Sequence, residues 1–495
     1  MPSTGKTLGE LASRVDGSLF GDTSRVIEDV THDSRQVGPQ TMFVAVRGAR
    51  HDGHDYVAEV ATNGGAAVAV ETRLDVGIDQ IVVDDTRRAM GPLASAVHGD
   101  PSSQVEVVGV TGTNGKTTVT HYVEYLMTTG GRATGLIGTI RTRLGDTVLP
   151  SARTTPEATD FQRLLAQMRD LGAEVVAAEI SSHALEMSRV NATKFAVAAF
   201  TNLSQDHLDF HGDMASYRKA KERLFHEFDV GTAVVNVGDE VGREIARSIS
   251  VPLLRTGVGG DVRAERVETS LSGTHFDLIA PDGVVEVHSP LVGSFNVENC
   301  LVAVACCLAL GLELETLAAG LANLAPVPGR FEQVSTTPGP TVIVDYAHTP
   351  RGIHEAIALA RQLTNGRVIA VAGAGGDRDR EKRPMMGAAA AEADSTVLTS
   401  DNPRSEEPGA ILAQMAAGAE RGDVVVEADR RRAIEIAIGM AGPEDVVLIL
   451  GKGHETGQEI GGGVVPFDDR EVASAILGVD ARSADRGPIS GSMSR

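Results

Sequence analysis

The sequence predicts an α/β protein in three parts, and three observations point that way. Its 495 residues, at about 150 per domain, fit roughly three domains. Short apolar runs alternate with helix-like stretches through two long blocks, the pattern of mostly parallel sheets. Two breaks separate the blocks, at Pro101-Ser102-Ser103 and at Pro326-Val327-Pro328-Gly329-Arg330. The expected domains are residues 1–103, 104–334 and 335–482, followed by a Ser-, Gly- and Arg-rich tail, 483–495, expected to be disordered.

In the first part, Thr41-Met42-Phe43-Val44-Ala45-Val46 and Ala66-Ala67-Val68-Ala69-Val70 read as strands punctuated by Gly and Asp, a small mixed α/β domain. In the second, Val105 to Val110 reads as a buried strand running into a glycine-rich turn and a helix. Val175 to Ile180, Val197 to Thr201 and Ala233 to Val237 are further strands, with helical stretches between them. Phe295 to Leu310 is apolar on every side and predicts a buried helix. It holds all three cysteines, Cys300, Cys306 and Cys307, which read as small hydrophobes in a reducing compartment. In the third part, Thr341 to Asp345, Arg367 to Ala372, Thr396 to Thr399, Val424 to Val426 and Val446 to Leu450 read as strands. Each runs at once into polar or glycine-rich residues, and open α/β sheets bind ligands at those carboxyl ends. A Rossmann-like domain is expected there.

Composition narrows the function classes. With 45 Lys and Arg against 67 Asp and Glu, the net charge is −22, which argues against coating nucleic acid or an anionic membrane. No Trp and 3% aromatic residues argue against base stacking. The opening MPSTGKTLGELASRVDG lacks the apolar core of a signal peptide. Leu301 to Leu310 is half the length a membrane span requires. A cytoplasmic monomer with no membrane insertion and small-molecule partners is expected.

Gly109-Val110-Thr111-Gly112-Thr113-Asn114-Gly115-Lys116-Thr117-Thr118 follows a strand and opens a helix. Backbone N–H groups over Gly112 to Thr118 can wrap phosphate oxygens, aided by the helix N-terminus. Lys116 would reach the β- and γ-phosphates, and the Thr117 hydroxyl would ligate Mg²⁺. Val110 stands where the standard spacing has its first Gly. The second part is therefore expected to be a P-loop-type ATPase domain.

The run Gly-Thr-Asn-Gly-Lys-Thr-Thr resembles the Mur ligases and their folylpolyglutamate synthase relatives. Five more segments occur in that family's order, along with Asp33-Ser34-Arg35 near the start. They are Glu179-Ile180-Ser181-Ser182-His183, Asn202 to Asp209, Asp345-Tyr346-Ala347-His348, Asp401-Asn402-Pro403-Arg404 and Gly451-Lys452-Gly453-His454-Glu455. Together they are similar to the branch of the Mur ligases that adds the third amino acid of the peptidoglycan stem peptide. The resemblance implies an ATP-dependent amide ligase using UDP-N-acetylmuramoyl-L-Ala-D-Glu and an acyl phosphate. The Asp-Asn-Pro-Arg version implies meso-diaminopimelate as the incoming amino acid, with L-lysine as the alternative. A folylpolyglutamate synthase would lack that motif and the Asp-Ser-Arg domain. A nucleotide switch without chemistry would not consume ATP in the presence of a muramoyl dipeptide and an amine.

Glu179 ends a strand beside the phosphate loop, where a carboxylate that ligates metal or water is wanted. His207 and His211 sit four apart beside Asp206 and Asp209, either a metal-binding helix face or a capping cluster. The resemblance makes His207 a ligand of a second Mg²⁺ and His211 structural. Tyr217 to Phe225 reads as an amphipathic helix whose lysines, Lys219 and Lys221, look solvated. The resemblance instead places a CO₂-derived carbamate on Lys221, a further ligand for Mg²⁺.

By the same resemblance, Asn296, Asn299, Arg330 and Asp345 hold the adenosine. Asn296 and Asn299 share a helix face, although Asn296 could instead cap that helix. Ser34 and the segment Ala49-Arg50-His51 match positions for the UDP-sugar, with His32 replacing an apolar residue. Arg153, Thr154, Thr155, Ser181 and Arg189 match positions for the sugar and its dipeptide. Some relatives have Asn for Arg153 and Gln for Met187. Arg378, Asp401, Asn402, Pro403, Arg404, Gly451 and Glu455 match the amino-acid site. Arg378 and Arg404 suit carboxylates, while Asp401 and Glu455 can accept from an ammonium. The alternative for the charge run Arg378 to Lys382 is a solvated loop.

Overall fold

A computed structural model describes residues 5–48, 51–151, 153–334 and 339–479. Ala49, Arg50, residue 335 at the expected third boundary and the tail 483–495 lie outside the described residues. Three sheets of mainly parallel strands dominate the structure.

The N-terminal sheet runs in the order Ser18–Phe20, Asp79–Val82, Ala67–Val70, Thr41–Val44, Asp29–Thr31, and only the first pair is antiparallel. Its central strands are buried throughout, so they read as continuous apolar runs rather than alternating ones. Helices Leu8–Arg14 and Thr86–Val97 cover one face, with Leu11, Met90 and Leu93 in a shared core.

The central sheet has eight strands. Six are parallel, in the order Thr134–Ile137, Val175–Glu179, Glu106–Thr111, Phe195–Phe200, Val230–Asn236, Leu253–Thr256. A hairpin, Arg141–Leu144 and Thr147–Pro150, extends it antiparallel beyond Thr134–Ile137. Helices Lys116–Thr129 and Ser294–Ala309 pack against one face around Val119, Leu126, Val302 and the three buried cysteines. Helices Ala158–Asp170, Met214–His226 and Glu240–Ser248 cover the other around Phe161, Phe195 and Phe200. Each such fully buried aromatic contributes about 1.5–3 kcal/mol by transfer from water. A separate antiparallel meander, Arg263–Ser270, Gly273–Ala280 and Gly283–Ser289, follows the last parallel strand.

The C-terminal sheet runs Glu332–Gln333, Thr341–Asp345, Val446–Leu450, Val368–Ala374, Ser395–Ser400, Asp423–Val426, parallel except for the first pair. Helices lie on both faces around two apolar clusters, the doubly wound arrangement expected of this part. Among the described residues, no helix is long and apolar enough to cross a membrane.

Two segments differ from their sequence pattern. Pro101–Ser103, where the sequence breaks between blocks, is an ordered 3₁₀ turn with Pro101 and Ser102 buried; the Ser102 hydroxyl accepts from the Lys194 amide at 3.0 Å. Its Ser content serves hydrogen bonding, not flexibility. The meander replaces helix-and-strand alternation over residues 263–289. Its period-two pattern buries Phe276, Leu278 and Ala280 and exposes the residues between them to varying degrees.

One buried ion pair ties the C-terminal strand ends together. Arg430 Nε and Nη2 donate to Asp469 Oδ1 and Oδ2 at 2.8 and 2.7 Å, and both side chains are fully buried. Nη2 also donates to the Leu450 carbonyl at 3.0 Å and Nη1 to that of Ser400 at 3.3 Å. Arg430→Met strands a buried carboxylate and should cost about 3–5 kcal/mol in urea unfolding. A loss below about 1 kcal/mol would overturn this account of the pair.

Candidate active site

The phosphate loop is shaped by glycines that admit no side chain. Gly112 has φ +147°, and a Cβ there would lie 1.9 Å from Thr201 Oγ1. Gly115 has φ +86°, and a Cβ there would lie 2.3 Å from Asn299 Oδ1. The next sheet strand buttresses the loop: the Thr113 amide donates to the Asn202 carbonyl at 2.8 Å, and the Asn114 amide donates to Asn202 Oδ1 at 3.0 Å. Thr201 Oγ1 donates to the Asn114 carbonyl at 2.6 Å. Helix Lys116–Thr129 starts at Gly115 without a side-chain cap. Its first N–H groups therefore need an acceptor from elsewhere.

Two lysines converge on one loop oxygen. Lys116 Nζ donates to the carbonyls of Gly112 and Thr113 at 3.0 and 2.8 Å. Lys221 Nζ donates to the same Gly112 carbonyl at 2.7 Å and lies 4.4 Å from the Tyr217 ring centroid. Lys221 is buried on helix Met214–His226, correcting the solvated face that its amphipathic pattern suggests, while Lys219 is exposed. Burial, reinforced by the charge of Lys116, holds the Lys221 amine well below the ordinary lysine range.

Glu179 ends its strand fully buried. Thr117 Oγ1 donates to Glu179 Oε2 at 2.9 Å, and the Thr139 amide donates to Oε1 at 2.6 Å. Arg330 Nη2 donates to Thr117 Oγ1 at 3.0 Å. His207 stands at φ +56° just before the short helix Leu208–His211 rather than on it. His211 turns away to Ser182, at 2.9 Å, so the two histidines form no common metal face. Burial pushes the His207 imidazole down to about 3.

One cavity of about 290 Å³ brings these groups to the C-terminal strand ends. Its central-domain wall is Thr113, Asn114, Gly115, Lys116, Thr117, Thr154, Glu179 and His207. Opposite stand Arg378, Asp401, Asn402, Arg404, Gly451 and Glu455, with Arg330 between. A second cavity, next to it, is lined by Asn114, Gly115, Thr118, Asn296, Asn299, Arg330 and Asp345. Asn296 does not cap its helix, which starts at Gly293; its Nδ2 donates to the Val292 carbonyl at 2.9 Å.

The C-terminal wall of this cavity carries two paired charges. Arg404, at φ +54°, donates from Nε to Glu459 Oε2 at 2.9 Å and from Nη1 to the Gly376 carbonyl at 2.8 Å. Buried Lys452 donates to Glu455 Oε2 at 2.7 Å and to Asn402 Oδ1 at 3.0 Å. Pro403 is buried and precedes Arg404, outside the cavity lining. Within the charge run, Arg378 is exposed at the cavity edge, whereas Lys382 is buried and reaches Asp206 at 2.8 Å.

Ser34, Arg153, Thr155, Ser181 and Arg189 do not line that cavity. All but Ser34 form a chain of contacts leading away from it. Thr154 lines it, and Thr155 Oγ1 donates to the Glu179 carbonyl at 2.7 Å and to Ser181 Oγ at 3.3 Å. Beyond them, Arg87, Arg153 and Arg189 all pair with Glu157, leaving an excess of positive charge. His32 contacts Thr159 Oγ1 at 2.8 Å, and Met187 Sδ accepts from Arg189 at 3.5 Å. Ser34 opens a 3₁₀ turn capped by Asp33.

The residue-by-residue reading omits several cavity groups: Thr139, Asp206, Tyr346, His348 and Lys382, together with Glu157 and Arg87 nearby. Asp206, Tyr346 and His348 fall inside motifs already quoted, a signal that could have found them. Arg87 and Glu157 carry no local signal.

Comparison with known proteins follows the same three parts. Residues 26–98 match the family described as Mur ligase family, catalytic domain; 110–307 match Mur ligase middle domain; 329–453 match Mur ligase, glutamate ligase domain. The chain is 48% identical over 457 residues to the UDP-N-acetylmuramoyl-L-alanyl-D-glutamate–2,6-diaminopimelate ligase of Geobacillus thermodenitrificans (strain NG80-2), covering 90% of this chain and 94% of that one. It is 45% identical over 482 residues to the ligase of the same name from Streptomyces coelicolor, covering 94% and 95%. A solved structure of a ligase so named aligns with TM-score 0.69 and 32% identity over 96% of this chain and 99% of the other. A Mycobacterium tuberculosis folylpolyglutamate synthase complexed with ADP and AMPPCP shares the fold, with TM-score 0.60 and 21% identity over 80% and 95% of the two chains. With its phosphate loop, its facing strand ends and its near full-length likeness to these ligases, the chain belongs to the Mur ligase family.

Proposed function

We propose that this chain is an ATP-dependent amide ligase that adds meso-diaminopimelate to UDP-N-acetylmuramoyl-L-Ala-D-Glu through an acyl phosphate, in peptidoglycan synthesis. The observation that carries the proposal is the single cavity in which Lys116 and Glu179 face Arg378, Asp401, Arg404 and Glu455. A phosphoryl-handling wall and a wall that reads a zwitterion thus share one space. The relatives at 48% and 45% identity bear the name of this activity. Residues 1–103 would hold the UDP-sugar, 104–334 the nucleotide and 335–482 the amino acid. Dependence on ATP puts the proposed enzyme in the cytoplasm.

Amide formation needs a carboxylate oxygen turned into a leaving group, which ATP accomplishes by phosphorylation. Lys116 and the first turn of its helix bind the β- and γ-phosphates and stabilise the transferring charge. Asn296, Asn299, Arg330 and Asp345 orient the adenosine in the adjoining cavity. Arg153 and Arg189, sharing Glu157 with Arg87, bind the acidic dipeptide and aim its carboxylate past Thr154 and Thr155 toward the phosphate loop, while Ser34 and Ser181 hold the sugar end. Asp401 and Glu455 accept from the incoming ammonium, and Arg378 and Arg404 bind its carboxylates.

The donor set fits Mg²⁺: the Thr117 hydroxyl and the Glu179 carboxylate are hard oxygen ligands 2.9 Å apart. His207 and Lys221, the latter as a carbamate, would hold a second ion. Bound there, Mg²⁺ supplies charge neutralisation for phosphoryl transfer. Lys221 suits carbamylation because its buried amine is held toward the neutral, nucleophilic form.

The direct test is a ligase assay with UDP-N-acetylmuramoyl-L-Ala-D-Glu, comparing diaminopimelate, lysine and ornithine. Product with diaminopimelate is expected; ATP binding without product from any of the three overturns the proposal. Lys116→Ala should lower turnover on the order of 10²-fold or more while circular dichroism stays native. Turnover near wild type would remove the phosphate-loop assignment.

Lys221→Ala should be inactive, and stripping CO₂ and bicarbonate should lower wild-type activity, with recovery on adding bicarbonate back. An unmodified amine at Lys221 in crystals of active, CO₂-equilibrated enzyme would refute the carbamate.

Substrate choice turns on Arg404. A charge-assisted pair with the distal carboxylate of diaminopimelate is worth about 1.5–3 kcal/mol, so lysine should be disfavoured at least about tens-fold. Arg404→Ala should raise KM for diaminopimelate, narrow its preference over lysine and leave KM for ATP unchanged. Equal losses for both amino acids would show that Arg404 does not read the distal carboxylate.

A further inference from the structure

The meander Arg263–Ser270, Gly273–Ala280 and Gly283–Ser289 has two chemically distinct faces. Its inner face puts Phe276, Leu278 and Val287 into the core that includes helix Ser294–Ala309. Its outer face carries His275, Asp277, Glu286 and His288, none of which lines the cavities described above. The strand register aligns possible ligands across all three strands: His275 is paired with Glu268 on one side and with His288 on the other.

Side-chain positions sharpen this alignment. His275 Nε2 lies 2.9 Å from Glu286 Oε1, and His288 Nε2 lies 4.0 Å from the same oxygen. The two imidazoles stack with centroids 3.8 Å apart. A surface depression beside them is lined by Glu268, His275 and His288. Among the described residues, His275, Glu286 and His288 are the one trio of His, Cys, Asp or Glu side chains found with a ligand atom each within 4.8 Å of the others. Neighbouring ligands about tetrahedral zinc stand roughly 3.3 Å apart, given Zn–N of about 2.0–2.1 Å. The distances of 2.9 and 4.0 Å bracket that separation, so small rotations about the side-chain bonds suffice.

We propose that His275, Glu286 and His288 form a surface site for a divalent cation of the zinc class, with Glu268 in reach as a fourth ligand. Two imidazoles and a carboxylate suit Zn²⁺, Ni²⁺ or Cu²⁺, whereas Mg²⁺ prefers oxygen ligands and keeps its waters. Antiparallel strands fix the ligand positions before the ion arrives, so little order has to be created on binding. The exposure of the site, with His288 side chain 70% accessible, leaves an open path for the ion.

The test is titration of the full chain with Zn²⁺ by calorimetry and with Co²⁺ by visible absorption, in excess Mg²⁺ to occupy oxygen-donor sites. One saturable equivalent with the d–d bands of a nitrogen- and oxygen-ligated Co²⁺ is expected. The double variant His275→Ala, His288→Ala should lose it, and His288→Gln alone should weaken it at least about 10-fold. Both variants change side chains on the solvent-facing side of the meander, and unchanged thermal melting without metal verifies that they fold. His207→Ala, which alters the other cavity, should bind as wild type. Absence of saturable binding to wild type, undiminished binding by the double variant, or loss only in His207→Ala would each overturn the site.

Discussion

The carbonyl oxygen of Gly112 is the point on which the proposed chemistry of this protein depends. Two amines, Lys116 and Lys221, donate to it at 3.0 and 2.7 Å, so they can be no more than 5.7 Å apart. Were both charged, they would repel by at least roughly 3 kcal/mol at an effective dielectric of about 20. Partial burial of one and full burial of the other add a desolvation cost to each charge. The protein relieves this in two ways. Lys221 is held toward the neutral form, and Lys116 faces a cavity open to an anion. In the proposed reaction a loop with surplus positive character and uncapped helix N–H groups suits phosphate, and a buried amine held toward its neutral form suits CO₂. Both proposals thus rest on one crowded oxygen.

The second constraint lies where the two parallel sheets meet at their carboxyl ends. Asp206, from the central domain, pairs with Lys382 at 2.8 Å and lies 3.5 Å from His348, both contributed by the C-terminal part. Although burial opposes it, hydrogen bonding to His348 and the charge of Lys382 hold the Asp206 carboxyl well below its usual range. A buried ion pair of this kind gains little net stability, because desolvation consumes much of the attraction. Its value lies in register. The juxtaposition in which Lys382 meets Asp206 also brings Arg378 and Arg404 to the same cavity as Lys116.

What the sequence revealed follows from how local each signal is. Strand, glycine turn and helix are contiguous around Lys116, so the phosphate loop is legible from some ten residues. Thr341–Asp345 and Val446–Leu450 are doubly covered central strands, and their unbroken apolar runs mark their ends without ambiguity. Lys221 is different: helical periodicity assigns a face but not what packs against it, and here the Gly112 loop does. Pairs such as Arg87 with Glu157, or Asp206 with Lys382, lie 70 and 176 residues apart and leave no spacing to read. The polar content of Pro101–Ser103 marks a break between blocks but does not reveal that Ser102 is buried, because a Ser that caps a backbone amide has the same local composition as a mobile one.

The amino-acid wall adds a last step. Two of the charges expected to meet the incoming zwitterion already have partners: Glu455 has Lys452, and Arg404 has Glu459 and the Gly376 carbonyl. Unpaired, these groups would be free to swing or would draw solvent into the cavity. Paired, they are held in one orientation, and part of their charge is neutralised before substrate arrives. Affinity for a single charge is thereby reduced, since a ligand must compete with an existing contact. A ligand carrying both an ammonium and a carboxylate at the right separation can exchange several such contacts at once. On the proposed function, such a wall would favour a doubly charged side chain over a singly charged one by geometry more than by net charge.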